Sequence, residues 1–552
     1  MFPYAEETFT TEEEDILRRY VTNLDQPVFA LVNLPEVVKG ALFARYSRSH
    51  KSLRRLFLDE FVGELDISGD ATVDATVGLR RAEQLYEKVF FEYGDDSVAQ
   101  LGGVHLACEQ ASNVLTKVLE WGRLMAYLEQ STRYIAYNQR LSTGHYRYYR
   151  DPAILDSVLG ARYVGDMDRM FDTYGELLEE AQAFLAVRHP RLVDDSDIVH
   201  RRAVKAKALD ALRGLLPAAS LSNVGIYGSG QSYEMLLLRM RSHPLPEARR
   251  YADMMLEELR KVIPSFLQRV DRPDRGGAWA DYLESTRLQT GQMVEELLPD
   301  LVSSPTAPAG GPSGQPSVTL VDFDPDGEDK VVAAICAPLT DRPEEEVLAR
   351  VRLLGAEEKR SLLAAYVGTR ENRRHRPGRA LERTDYRFDV VTDYGAFRDL
   401  QRHRMLTIEW QPLGASLGYD VPDVVEDAGL TDRYVASLER SRELAETVAP
   451  LFPVESAYAV ALAYRIRYSM QMNAREAMHL LELRSGPQGH PGYRWVAQEM
   501  HRLIADQAGH RLLAEAMSHV HYGSEDLERL ESERRAEVRR DSVSAAGNPA
   551  TP

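Results

Sequence analysis

Cysteine is nearly missing from this chain: 552 residues hold two, Cys108 and Cys336. Two thiols in unrelated contexts argue against a disulfide framework and against a cysteine-based metal site, and they suit a reducing cytoplasm. Positive charge is also short, with 67 Lys and Arg against 85 Asp and Glu and a net charge of −18. Sequence-independent nucleic-acid binding needs a basic footprint, so no nucleic-acid partner is expected. No uninterrupted apolar run is long enough to cross a bilayer. No charged-then-apolar leader opens the chain, which instead carries Glu6, Glu7 and Glu12 to Glu14. A membrane partner is therefore not expected, and a cytoplasmic protein is.

What is present is ordinary for a globular protein, 44% hydrophobic and 28% charged. The length is too great for one ordinary core and calls for two domains or more. Residues 1–26 read as an acidic helical arm. A first unit follows over 27–272. It has a short strand at Val28 to Val32, helical patterns through Leu58, and a helix from Arg80 to Tyr93 that Gly94-Asp95-Asp96-Ser97 breaks. Val98 to Tyr127 reads as one long apolar helix, with Val104, Ala107, Val114, Val118 and Leu119 near helical spacing. A tyrosine-rich irregular stretch (Tyr137, Tyr146, Tyr148, Tyr149) begins an insertion at about 141–200. Helices are expected at Met167 to Val187, Ile198 to Leu216, Tyr233 to Met240 and Pro246 to Val262, and Gly225 to Gly230 reads as a loop.

Residues 273–316 are expected to be a Pro/Gly-rich linker, with Ser303 to Pro312 as its core. A second unit over 317–522 opens with a strand at Val318 to Phe323. Helices at Glu344 to Leu353 and Ala356 to Ala365 and a strand at Phe388 to Val391 follow. Thr431 to Val448, Ala457 to Leu483, Tyr493 to Ala505 and Ala508 to Met517 read as helical. The tail, 523–552, reads as charged and partly disordered.

The chain's chemistry gathers around Phe397-Arg398-Asp399-Leu400-Gln401-Arg402-His403-Arg404. Two guanidiniums flank an imidazole there, a set suited to holding phosphate or carboxylate oxygens. A lone R-H-R is more often a solvated basic face. The order of features is repeated, however. Trp121-Gly122-Arg123 leads to Glu129-Gln130-Ser131-Thr132-Arg133-Tyr134, and each half ends in a helix with a late arginine, Arg239 or Arg484. This is a duplication with one enlarged copy rather than a short-period repeat. Gly225 to Gly230 lacks dinucleotide-fingerprint spacing. His501, His510, His519 and His521 form no metal motif, so no metal is expected.

These residues resemble a tandem fusion of two flavin-dependent (FAD-dependent) thymidylate synthase units, over roughly Pro27–Pro264 and Pro316–Tyr522. The family pattern is R-H-R-x-x-S-x-N-E-x-S-x-R-Y, then an A-R-x-x-L-P-like segment, N-x-R, L-R and A-Q-E. The second copy keeps Arg402-His403-Arg404, Asn473-Ala474-Arg475, Arg484 and Ala497-Gln498-Glu499, but has Trp410 and Pro412 where Glu and Ser are expected. The first copy keeps Glu129, Ser131, Arg133, Tyr134, Arg213, Leu216, Pro217 and Arg239. It has Trp121 and Gly122 in place of Arg and His, and Gly228 and Gly230 where Asn and Arg are expected. The upstream histidine segment is missing from both; His375 lies two residues off register.

The losses are complementary. The resemblance implies that Arg402, His403, Arg404, Asn473 and Arg475 hold FAD. It implies that Glu129, Ser131, Arg133, Arg213 and Arg484 hold a dUMP-like nucleotide. It also implies reductive methylation with methylenetetrahydrofolate and NADPH, no protein nucleophile, and a homodimer that mimics the family tetramer. The implied fold is α+β, two related units, each a small β-sheet packed with long α-helices. Three readings stay open: a working methyltransferase, a non-catalytic flavin- or nucleotide-binding protein, and a structural duplication with empty pockets. Intact complementary sets favour the first two.

Overall fold

The computed structural model describes residues 8–25, 29, 31–36, 38–39, 42–43, 51–60, 62, 100–302, 316–523, 527 and 529–546. The fold is α+β. Contacts divide the chain into two units, one from 1–109, 118–129 and 223–304, the other from 110–117, 130–222 and 305–552. These units do not follow the two sequence copies, because the first copy's long helices belong to the second unit.

In the first unit the acidic arm is the helix Thr11–Tyr20, closed by a capping box between Thr10 and Glu13. Leu53–Glu60 is helical, and Leu31 forms a single bridge to Val21. The Arg80 to Tyr93 expectation and its Gly94 to Ser97 break lie outside the described residues. The long helix expected at Val98 to Tyr127 is instead β1 (Gly103–Ser112), a short helix (Asn113–Leu119) and β2 (Met125–Glu129). Val104, Cys108 and Ala111 are buried. The spacing of four from Val104 to Cys108 suits either period, the step of three to Ala111 spans Gln110 with its φ of 55°, and sheet pairing decides it here. The expected loop at Gly225 to Gly230 is the end of β3 (Leu221–Ser229), which runs directly into the helix Gly230–Arg241. The sheet order is β1-β3-β2, with β2 antiparallel to β3 from Met125↔Gly228 to Glu129↔Val224. Tyr233 locks helix to sheet, its hydroxyl donating to the carbonyls of Val104 and Ile226 at 3.0 and 3.2 Å. Within the stretch read as a linker, Ala278–Leu297 forms a helix with no buried residue, and 303–315 lie outside the described residues.

The second unit holds a four-stranded antiparallel sheet in the order β4 (Ser317–Phe323), β5 (Asp385–Asp393), β7 (Arg465–Asn473), β6 (Thr407–Trp410). The continuous helix expected at Ala457 to Leu483 is corrected: a 3-10 turn, β7, then the helix Ala474–Arg484. Along β7, Ile466, Tyr468, Met470 and Met472 are buried, and the residues between them are more open. That is a strand's period of two. The long helices Gly160–Arg188, Asp197–Leu212 and Thr431–Val448 pack beside one another.

At the centre of this unit, residues 214–219 run antiparallel to 458–463. Ala218 N donates to Val460 O (2.8 Å) and Leu462 N to Leu216 O (2.9 Å); Ala219 N donates to Tyr458 O and Ala463 N to Gly214 O, both 2.9 Å. Pro217 faces Ala461 at the middle. The pairing is reciprocal, as a duplicated chain folding on a local two-fold would make it. The displacement that carries Pro217 onto Ala461 also carries the helix cap Ser229 onto the cap Asn473. Ser229 and Gln231, not Gly228 and Gly230, therefore stand at the Asn473 and Arg475 positions.

Candidate nucleotide site

The helix Tyr394–Gln401 carries the centre of the site. Asp393 caps it, accepting from Ala396 N at 2.9 Å, and every residue of the helix is buried. Gly395 is required by close approach: a Cβ there would lie 2.9 Å from Asp393 Oδ1 and 3.1 Å from Arg213 Cζ. One turn on, Asp399 points into a ring of guanidiniums. Arg213 Nη1 is 3.2 Å from its Oδ2, and Arg402 Nη1 is 3.6 Å from its Oδ1. Burial opposes ionisation of Asp399, but the charges of Arg213, Arg402, Arg484 and Arg133 outweigh it and hold the carboxyl well below its usual range. Two of these arginines come from each sequence copy, and all four lie in the second unit.

Arg133 has four of its five N–H groups engaged. Its Nε and Nη2 grip Asp210 at 2.7 and 2.6 Å, Nη1 donates to Tyr493 Oη at 2.6 Å, and Nη2 also reaches Gln488 O at 3.1 Å. Ser131 Oγ accepts from Arg133 N at 3.2 Å. Arg213 is different: only 3% exposed, it leaves Nε and Nη2 without hydrogen-bond partners. It lines a cavity of about 800 Å³ together with Asp210, Asp393, Asp420, His490 and Trp495. Burial raises Asp393 to about 6 against the pull of Arg213, and Asp420 adds to the rise.

Behind the arginines runs a chain of hydrogen bonds. Arg484 Nε donates to His403 Nε2 at 2.9 Å, so the His403 proton sits on Nδ1, 2.9 Å from Glu476 Oε1. His479 Nδ1 is 3.2 Å from Glu476 Oε2. Burial lowers His403 to about 4 despite the Glu476 contact, so the imidazole is neutral near pH 7. Burial opposes ionisation of Glu476, but bonds from His403 and His479 bring it to about 2. The three side chains place donor atoms within 4.8 Å of one another, a spacing a metal could use. A dication would have to displace the His403 Nδ1 proton from Glu476 while Arg484 holds Nε2, so the arrangement suits a hydrogen-bonded relay.

The expected residues divide clearly. Arg133, Arg213, Arg402, His403 and Arg484 converge. Arg404 is exposed and has no polar partner among the described residues. Asn473 caps the Ala474–Arg484 helix, accepting from Glu476 N at 2.9 Å. Arg475 is held by Pro377 O at 3.0 Å and Glu382 at 3.2 Å. Glu129 is buried on β2 in the first unit. There Arg239 stacks over the Trp121 ring, 3.2 Å from its centroid, so the indole that replaces a motif arginine is covered by a guanidinium. Sequence reasoning missed Asp210, Asp399, Glu476, Tyr493 and Arg529. Asp399 stands three residues before Arg402 in the same motif, one helical turn away, which is the signal that points to it.

The description "thymidylate synthase complementing protein" belongs to the family model that matches residues 42–265 and 319–509. The chain belongs to that family. The two matched stretches agree with a tandem duplication. A UPF0159 protein of Chlamydia muridarum is 38% identical over 531 residues, 96% of this chain and 98% of its own length. One from Thermoplasma acidophilum is 31% identical over 528 residues, 91% and 99% of the two lengths. Among solved structures, the UMP/dUMP methylase PolB from Streptomyces cacaoi bound with 5-Br dUMP has 18% identity and a TM-score of 0.30, covering 37% of this chain and 95% of that one.

Proposed function

We propose that this chain is a flavin-dependent thymidylate synthase-like enzyme that reductively methylates dUMP or a related pyrimidine nucleotide, taking carbon from methylenetetrahydrofolate and electrons from NADPH. The observation that carries the reading is the convergence of Arg133 and Arg213 with Arg402 and Arg484 around Asp399, beside a cavity of about 800 Å³. That volume is in the range of small-molecule sites. Arg484 would hold the phosphate, with Ser131 as a hydroxyl donor and Arg133 joining it. Arg213 would turn its free Nε and Nη2 toward an acceptor in the cavity. His403 keeps Arg484 oriented, through the proton it directs to Glu476.

FAD, when bound, would supply the redox chemistry. The residues fit its pyrophosphate end, where exposed Arg404 and half-buried Arg402 offer guanidiniums. They fit less of the rest, because His403 gives both ring nitrogens to protein partners, and Asn473 Oδ1 and Arg475 Nε and Nη1 are engaged as well. That observation favours a second reading, a non-catalytic flavin- or nucleotide-binding protein. A cytoplasmic homodimer belongs to the first reading by family likeness.

The test is the visible spectrum of the purified protein with FAD and dUMP, followed by turnover with methylenetetrahydrofolate and NADPH. Flavin bands that respond to dUMP, and formation of dTMP, support the enzyme. A flavin complex without turnover, or failure to sustain a thymidine auxotroph, leaves the binding protein. No binding of FAD or dUMP ends both.

A further inference from the structure

The family match stops at residue 509, yet the chain continues and returns to the site. The helix Leu530–Ala546 lies along the helix Asp197–Leu212. It is fastened by Arg534 to Asp195 at 2.6 and 3.0 Å, by Arg202 to Glu533 at 3.7 Å, and by a hydrogen bond from Ser196 to Glu537. Just before it, Arg529 enters the core, 5% exposed. Its Nη1 donates to Arg133 O at 3.1 Å, and its Cζ lies 4.3 Å from the centroid of the Tyr134 ring. Its Nη2 is 3.3 Å from both oxygens of Asp210. Asp210 thus stands between two guanidiniums, tight against Arg133 and loose against Arg529.

This arrangement answers a problem that the site poses. Four of the five N–H groups of Arg133 are engaged, so it cannot turn a two-nitrogen fork to an incoming anion. Freeing it would strand the buried Asp210 carboxylate, and a buried charge left without its partner is strongly destabilising. We propose that Arg529 is a positioning residue: when a phosphate monoester enters, Asp210 closes on Arg529 and Arg133 is released to the phosphate. The tail is then part of the anion site rather than an appendage. The proposal rests on the nucleotide reading above for its ligand. No bond is made or broken in the exchange, and the unit's charge changes only by that of the ligand.

The experiment measures dissociation constants for dUMP, inorganic phosphate and deoxyuridine on the full chain by calorimetry. It compares wild type, Arg529→Gln, and Arg529→Gln combined with Asp210→Asn. Glutamine keeps the packing stem beside Tyr134, and a chain ending at residue 523 is the second variant should Arg529→Gln not fold. The expected result is a loss of dUMP and phosphate affinity of about tenfold or more in Arg529→Gln, with deoxyuridine affinity unchanged. Asp210→Asn should restore phosphate affinity in the double variant, because no carboxylate then competes for Arg133. A merely structural Arg529 would weaken all three ligands alike, and Asp210→Asn would restore none of them. Unchanged dUMP affinity, or tighter binding on removal of the tail, overturns the proposal. Wild type that binds phosphate but not dUMP ends the nucleotide reading while the phosphate series still decides on Arg529. Wild type that binds neither overturns both.

Discussion

Asp399 shows what one carboxylate does among four guanidiniums. Remove its charge and the buried arginines repel one another without a counterion. Asp399→Asn should lose roughly 3 kcal/mol of stability, the cost of breaking a buried ion pair. Added phosphate should then raise the thermal midpoint of Asp399→Asn more steeply than that of wild type, because the anion takes the vacant role. A parallel response of the two proteins would show that the arginines do not share that counterion. Asp393 behaves oppositely. Its folded value of about 6 lies above the unfolded value of roughly 4. The folded state therefore has its full stability below the unfolded value and loses some of it as pH rises through 6. Asp393→Asn keeps a capping side chain and cannot ionise. It should match wild type near pH 4 and exceed it by about 3 kcal/mol at pH 7.5 in urea titrations. A gap independent of pH would contradict the assignment. At this scale the arginines were legible in the sequence because the family motif marks them. Asp210 was not, since nothing local distinguishes a lone Asp on a helix from a solvated one. Its role appears only when Arg133 arrives from 77 positions away.

Among the elements, a helix is legible where its buried side recurs at helical spacing: Thr431–Val448, with Tyr434, Leu438, Ser441, Ala445 and Val448 buried, has the limits expected of it. Gly103–Ser112 and Arg465–Asn473 are strands where helices are expected: in the first the apolar spacing is open to both periods, and in the second a strand's alternation lies beside a helix-rich run. Arg465-Ile466-Arg467-Tyr468-Ser469-Met470-Gln471-Met472 alternates without a break, so its strand was written in the sequence. The other strand needed its sheet partner to be known. The start of the Ala474–Arg484 helix allows a direct separation of structural from cofactor roles. Asn473→Ala should cost about 1 kcal/mol as a lost cap, and Asn473→Asp almost nothing. If Asn473 serves only as a cap, FAD affinity stays the same in both variants. A fall in FAD affinity in Asn473→Asp, at full stability, would assign the side chain to the flavin.

For the molecule as a whole, the duplication was legible in the order of motifs, whereas the division into compact units was not, because helices of the first copy are built into the second unit. The reciprocal pairing of 214–219 with 458–463 buries Tyr458, Ala459, Ala461 and Leu462 almost completely. A fragment of residues 316–552 alone would expose that strip to water. It should be insoluble or aggregate, and co-expression with residues 1–302 should bring the two fragments out together in a pull-down. A soluble, cooperatively unfolding 316–552 fragment would show that the pairing is dispensable. No helix among the described residues is long and apolar enough to cross a membrane.

The reciprocal strip has one more consequence. When identical subunits assemble, every amino-acid change is written into all of them at once, so a residue cannot improve one role without altering its duplicate. Covalent fusion removes that bond. Arg213 can be kept on one side of the Pro217–Ala461 axis while the corresponding position on the other side drifts, and the gene can specialise two faces that a symmetric assembly would have to keep alike.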